Sequence, residues 1–249
     1  MKHVIIDGNN YINIALSRTL NEIKKQDESK TDEWWEGLSK KLFLQMLRKL
    51  QRQFKASSLY YIVWDHANGS AWRKSKFSEY KENRNHFRQL KAFLPIGLAI
   101  AEELNITNLG YQDAEADDVI FAYCKHLKVE DNQADITIVS RDRDMLQVVQ
   151  QGHADRVWDP VSKKDIKVPP YDIVTFKCLV GDSSDNIDGL LGVGPKRALK
   201  KMERGLTPEE EQHVESLSEI IALSKFYKHD EMMRVLNEQG IFGFLQKSF

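Results

Sequence analysis

Cysteine is scarce: Cys124 and Cys178 are the only two in 249 residues, and both lie in apolar runs with no paired spacing. A disulfide framework is excluded, and a reduced intracellular compartment is expected. Long apolar runs are missing as well. Met1-Lys2-His3 leads into three apolar residues before Asp7, so neither a signal peptide nor a membrane span is expected. Charge of one sign is not in excess either: 36 Lys and Arg stand against 37 Asp and Glu. No global positive field announces a nucleic-acid binder, but a sum near zero can hide segregation. Apolar residues make up 41% of the chain, enough for one large domain or a main domain with a smaller appendage.

What is present is a concentration of carboxylates. Glu115, Asp117 and Asp118 fall within four residues, directly before the apolar Val119, Ile120, Phe121 and Ala122. On a helix Glu115 and Asp118 share a face, while each step along the chain turns by about 100°, which points Asp117 elsewhere. Like charges about 4 Å apart repel by roughly 4 kcal/mol at an effective dielectric near 20. A helix N-terminus returns only about 0.3–1 kcal/mol per acid. Either the carboxylates splay into solvent or a multivalent cation sits among them.

The rest of the chain favours the cation. Val4-Ile5-Ile6, Leu59 to Trp64 and Ile136 to Val139 read as buried strands, with helical patterns between them, as in Leu38 to Phe54. Such alternation predicts an α/β fold with a parallel sheet. Each strand runs into an aspartate: Asp7, Asp65, and Asp142 with Asp144. That edge of an open α/β sheet is where ligands bind. Arg156 to Val168 reads as a hairpin about Pro160, and Pro169-Pro170 as a boundary, giving a core of residues 1–168 and a helical region of residues 169–249.

Between the second strand and the next helix the character inverts. Arg73, Lys74, Lys76, Lys81, Arg84, Arg88 and Lys91 are interleaved with Trp72, Phe77, Tyr80 and Phe87. Basic residues alternating with aromatics suit phosphates and stacked bases; the alternative is an amphipathic helix with its aromatics on the core. Further on, Gly192-Val193-Gly194-Pro195-Lys196-Arg197 is a glycine turn opening a helix. It exposes backbone N–H groups at a positive helix end, a phosphate-binding device of the helix–hairpin–helix kind. The alternative there is a plain helical corner. The polar stretch from Ser17 to Glu36 reads as a solvated helix end or loop, and Phe242, Phe244 and Phe249 as packing against the body or a clamp-binding tail.

Asp7-Gly8-Asn9, Glu115-Ala116-Asp117-Asp118, Ser140-x-Asp142-x-Asp144, Gly181-Asp182-x-x-Asp185-Asn186 and Gly192-Val193-Gly194-Pro195-Lys196 occur in one order. From about Val4 to Lys201 the chain resembles the structure-specific 5′ nucleases. These are flap endonucleases and 5′→3′ exonucleases of phages and the 5′-nuclease domain of bacterial DNA polymerase I.

The resemblance implies a PIN-like core, a helical arch at about residues 68–92 and a helix–hairpin–helix at about residues 181–202. It implies a first metal site from Asp65, Glu115, Asp117 and Asp118 with Asp7 close by, and a second from Asp142, Asp144, Asp182 and Asp185. Lys81 and Arg84 would act on the scissile phosphate, with Asp7 beside them in the catalytic set. Arg73, Tyr80, Ser140, Arg141, Gly192, Gly194, Lys196 and Arg197 would contact DNA. The implied cofactors are two or more Mg²⁺ or Mn²⁺ ions, with K⁺ at the hairpin. The implied substrate is flapped or branched DNA, with an RNA–DNA hybrid as a further possibility, cut by a monomer in the cytoplasm of a bacterium or phage-infected host.

All-carboxylate sites select such hard cations over zinc, and two of them suit an in-line phosphodiester displacement without serine or histidine. Two rivals share parts of the pattern. A PIN-type ribonuclease would not need the hairpin, and a junction-binding protein without activity would not need the acids.

Overall fold

The computed structural model describes residues 1–25, 32–55, 57–83 and 88–241. Six strands form one sheet: β1 (Lys2–Asp7), β2 (Leu59–Val63), β3 (Thr107–Leu109), β4 (Asp135–Val139), β5 (Arg156–Asp159) and β6 (Lys164–Asp165), in the order β3-β2-β1-β4-β5-β6. All neighbours are parallel except β5 and β6, which are antiparallel. The predicted parallel sheet is present. Beyond the prediction lies β3; the hairpin expected over Arg156 to Val168 pairs Lys164 and Asp165 with β5, and the Ile166 N–H donates to the Val157 carbonyl at 2.8 Å.

Side-chain alternation covers both faces, which is why the central strands read as unbroken apolar runs. Ile5, Tyr61, Val63, Ile136 and Ile138 point to one side, under α5 (Ala116–Glu130). Val4, Ile6, Tyr60, Ile62, Trp64 and Val139 point to the other, under α1 (Gly8–Lys25), α2 (Asp32–Phe54) and α4 (Arg88–Glu103). From β1 the chain order runs outward through β2 to β3 and, on the other side, from β4 to β5. The ends of β1 and β4 therefore flank the point where the winding reverses, and a crevice opens there.

The short α6 (Leu146–Gln150) precedes β5, and after β5 and β6 come α7 (Ile173–Val180), the small antiparallel pair β7 (Gly181–Asp182) and β8 (Ile187–Asp188), α8 (Pro195–Arg204), α9 (Pro208–Ile221) and α10 (His229–Gln239). Helix α10 packs on α5, and Leu223, Phe226, Met232, Val235 and Leu236 share the core of the α5 face. Among the described residues no helix is long and apolar enough to cross a membrane. The tail phenylalanines Phe242, Phe244 and Phe249 lie outside the described residues, as does the middle of the polar stretch at 26–31, between the end of α1 and the start of α2.

Candidate active site

The site begins at the carboxyl end of β1. Asp7 is buried, accepts the Asn10 N–H at 3.0 Å, and takes the Ser140 hydroxyl at 2.7 Å from the end of the neighbouring β4. Burial, with Asp142 and Asp65 adding repulsion, pushes its carboxyl up to about 7. Asp65, just past β2, accepts the Asn9 amide at 2.6 Å and the Ala116 N–H at 2.7 Å, so it joins the β1 turn to the start of α5.

Asp117, on the first turn of α5, accepts no hydrogen bond among the described residues. Burial first, then Asp142 and Asp7, drives its carboxyl well above the ordinary aspartate range. Asp142, past β4, accepts the Asp144 N–H at 2.9 Å. Asp7, Asp117 and Asp142 thus repel one another across one small volume.

The other two members of the acidic triplet face away from it. Asp118 is fully buried and both its oxygens hold Arg73, at 2.6 and 2.8 Å. Glu115 accepts from Arg73 at 2.8 Å, from the Tyr80 hydroxyl at 2.9 Å and from Lys81 at 2.5 Å. Burial would raise the Glu115 carboxyl, but Lys81 and Arg73 outweigh it and hold it below the ordinary range. The i, i+3 face predicted for these two acids is real, and it is occupied by cations of the protein itself.

Gly69 allows this approach of the arch to α5: a Cβ there would stand 2.6 Å from the Ala114 carbonyl oxygen. These contacts come from α3 (Ala71–Lys76) and the turns after it, a segment far away in sequence.

Several expectations are corrected here. Arg73, expected to contact DNA, is 2% exposed, and its guanidinium is taken up by Asp118, Glu115 and the Ile220 carbonyl. Tyr80 is buried against Cys178, Ile187, Ile220 and Ile221, and Phe77 packs on the same cluster. The aromatics of the arch foot therefore face the core, and burial outweighs base stacking for them. Ser140 is wholly buried, positioning Asp7 instead of contacting DNA. Arg141 beside it is exposed, with Asp159 at 3.9 Å. Arg84 and Phe87 lie outside the described residues.

A second acidic group stands across the crevice. Ligand oxygens of Asp144, Asp182 and Asp185 all lie within 4.8 Å of one another. Asp142, expected only with this group, also acts on Asp7 and Asp117 and so stands between the two sets. A crevice lined by Tyr80, Glu115, Asp117, Asp144, Asp182 and Asp185 joins them.

Lys177 of α7 was not foreseen. Its ammonium bridges Asp144 and, at 2.5 Å, Asp182. Burial would discharge it, but the two aspartates outweigh that and hold its pKa above the ordinary lysine value. The available signal was one lysine in an otherwise uncharged helix, five residues before Asp182.

The donor set fits hard divalent cations. It consists of oxygen ligands alone, with Asp117 buried and unpaired among the described residues, and three aspartates close enough to share an ion.

The glycine turn expected to hold a phosphate lies on the helical side. Gly192 has φ of +72°, a left-handed conformation that suits glycine, and the Arg197 guanidinium donates to its carbonyl at 2.7 Å. Gly194 caps α8, Pro195 opens it, and Lys196 is exposed at its first turn. Arg197, predicted to contact DNA, thus also braces the hairpin.

Against known proteins, the family described as 5′-3′ exonuclease, N-terminal resolvase-like domain, matches residues 2–174. A 5′-3′ exonuclease of Mycoplasmopsis pulmonis is 34% identical over 168 residues, covering 63% of this chain and 54% of that protein. DNA polymerase I of Caldicellulosiruptor bescii is 30% identical over 224 residues, covering 84% of this chain and 25% of that protein. Flap endonuclease Xni of Shewanella frigidimarina is 31% identical, with 55% of each chain covered. The chain thus spans about half, or less, of the length of these curated relatives.

Among solved structures, T5 D15 protein co-crystallised with metal ions aligns over 99% of this chain and 97% of that chain, with a TM-score of 0.62 and 16% identity. A bacteriophage T5 D15 flap endonuclease in a pseudo-enzyme–product complex with DNA and metal ions gives 0.63 at 14% identity, covering 99% of this chain and 97% of that chain.

Proposed function

The chain belongs to the 5′-3′ exonuclease family through its N-terminal, resolvase-like domain, and from that premise we propose that it is a divalent-metal-dependent 5′ nuclease acting at junctions of single-stranded and duplex DNA. One observation carries the reading. Asp7, Asp117 and Asp142 meet at the switch point of the sheet, with Asp144, Asp182 and Asp185 opposite and Lys81 at the foot of the arch between them.

Asp7, Asp65, Asp117 and Asp142 would hold one Mg²⁺ or Mn²⁺ ion, and Asp144, Asp182 and Asp185 another. When bound, such a pair supplies an activated water and neutralises the leaving oxygen of an in-line phosphodiester displacement. The protein's own groups do the rest. Asn9, Asn10, Ser140 and the Ala116 N–H orient the first set of carboxylates. Asp7 and Asp117 give up any proton they carry when a cation enters. Lys81, freed from Glu115, would set its ammonium against the negative phosphate.

The hairpin at Gly192 to Lys196, with the positive end of α8, would grip a duplex phosphate and could hold a K⁺ ion at its carbonyls. Residues 1–168 would cut and residues 169–249 would hold the duplex, with flapped or branched DNA, and an RNA–DNA hybrid in primer removal, as substrates of a cytoplasmic monomer. Arg84 belongs to this proposal as a further phosphate contact.

The deciding experiment is cleavage of an end-labelled 5′-flap duplex in Mg²⁺, beside EDTA and a plain single strand. Metal-dependent cutting near the junction is expected. Tight junction binding without cutting in Mg²⁺ or Mn²⁺ would make this a binding protein, and metal-dependent cutting of single-stranded RNA with no need of a duplex would make it a ribonuclease.

A further inference from the structure

The foot of the arch and the loop between β7 and β8 lie about a hundred residues apart in sequence, yet they are stitched together. The Lys81 N–H donates to the Asp185 carbonyl at 2.9 Å. The Asn186 amide donates to the Glu79 carbonyl at 2.9 Å, and the Asn83 amide to the Ser183 carbonyl at 2.8 Å. Each bond crosses between the same two segments, and two of the three come from asparagine side chains.

The backbone at this seam is unusual. Lys81 has φ of +55° and Asn186 of +61°, left-handed values that a lysine rarely adopts. A residue stays in such a conformation when its surroundings over-determine it. Here Tyr80 is buried beside it and its own N–H is taken by Asp185. The same residue then reaches the other way, its ammonium 2.5 Å from Glu115. Lys81 is therefore attached by its backbone to the second acidic group and by its side chain to the first.

We propose that Asn83 and Asn186 are positioning residues. Their bonds form a clasp that sets the Lys81 ammonium and the carboxylates of Asp182 and Asp185 in register. Ordering of the arch foot at residues 79–83 and cation binding at the second acidic group are then one coupled event. This rests on the reading of that group as a cation site given above. Coupling of this kind is reciprocal: a cation that orders the 181–186 loop must order the arch foot, and a loosened foot must weaken the cation by the same factor. Neither asparagine needs to touch the nucleic acid or the ion.

The test uses the whole chain without DNA, with Mn²⁺ as the probe. Asn186→Gly removes the amide and keeps a residue at ease with positive φ; Asn83→Ala removes an exposed side chain, so one variant remains if the other fails to fold. In the wild type, Mn²⁺ should slow amide hydrogen exchange at residues 78–83 as well as at 181–186. In either variant the second Mn²⁺ should bind about 5- to 10-fold more weakly, the factor that one ordinary hydrogen bond corresponds to, and protection of residues 78–83 should vanish.

On a 5′-flap duplex the variants should lose kcat at limiting Mn²⁺, keep KM for DNA, and recover at high Mn²⁺. Wild-type Mn²⁺ affinity in both variants, with protection of 78–83 retained, would reduce the clasp to ordinary surface bonds and overturn the inference alone. A wild type that binds no Mn²⁺ would overturn the cation site itself and the clasp with it.

Discussion

Arg73 grips Asp118 through two hydrogen bonds of 2.6 and 2.8 Å in a place solvent does not reach. This pair divides the acidic triplet. It consumes Asp118 in holding the arch to α5, and leaves Asp117 facing the crevice. Arg73→Ala would strand a buried carboxylate, so a loss of about 3–5 kcal/mol in urea denaturation is expected. Duplex affinity per folded molecule should not change. Lost affinity at unchanged stability would restore Arg73 to the DNA contacts.

Lys177 stands among Asp144 and Asp182 as a built-in counter-ion. In EDTA, Lys177→Met should lower the melting temperature, because those carboxylates then repel one another unrelieved. Addition of Mg²⁺ should raise the variant's melting temperature by more than the wild type's. Equal gains would show that the ammonium and the cation do not compete.

Asp7 predicts a pH effect in the metal-free protein. Its folded carboxyl is raised to about 7 by burial, against an unfolded value of about 3.9. Stability from this group is fully present below about pH 4 and is lost as pH rises through about 7. The difference is on the order of 4 kcal/mol for a shift of about three units. Urea midpoints of the wild type minus those of Asp7→Asn, taken in EDTA across that window, should fall with rising pH. A flat difference would mean that Asp7 is ionised at no cost.

Lys81→Ala should lower kcat on a 5′ flap by about 10²–10³, the scale of one lost charge-stabilising donor, while Kd changes only a few-fold. Asp182→Asn with Asp185→Asn should likewise spare binding, measured by fluorescence anisotropy in Ca²⁺, and cripple cutting. Equal losses in Kd and kcat for Lys81→Ala would assign the lysine to grip instead of chemistry.

Lys196→Ala should weaken duplex binding and reduce the slope of log affinity against log salt by about 0.9, one phosphate contact. Gly192→Ala, forced into φ of +72°, should lose duplex affinity with little change in the salt slope, because it misplaces the turn and removes no charge. An unchanged affinity in both would leave the hairpin as a plain corner.

The chain by itself determined the parallel sheet, its carboxylate edge and the glycine turn that opens α8. Those follow from local chemistry: strands buried on both faces must be continuously apolar, turns after them need aspartate, asparagine or glycine, and a helix N-terminus needs capping groups. Strand β3 escaped because Thr107-Asn108-Leu109 is too short to show a period.

Only the tertiary structure decided which acids are free. Glu115, Asp117 and Asp118 are alike in sequence, and their roles diverge because Arg73, Tyr80 and Lys81 arrive from more than thirty residues away to claim two of the three. The same holds for Lys177 between its aspartates, for the buried Ser140, and for the bonds from Asn83 and Asn186. Partner choice among charges depends on distance and burial in three dimensions, and residue type and spacing along the chain carry neither.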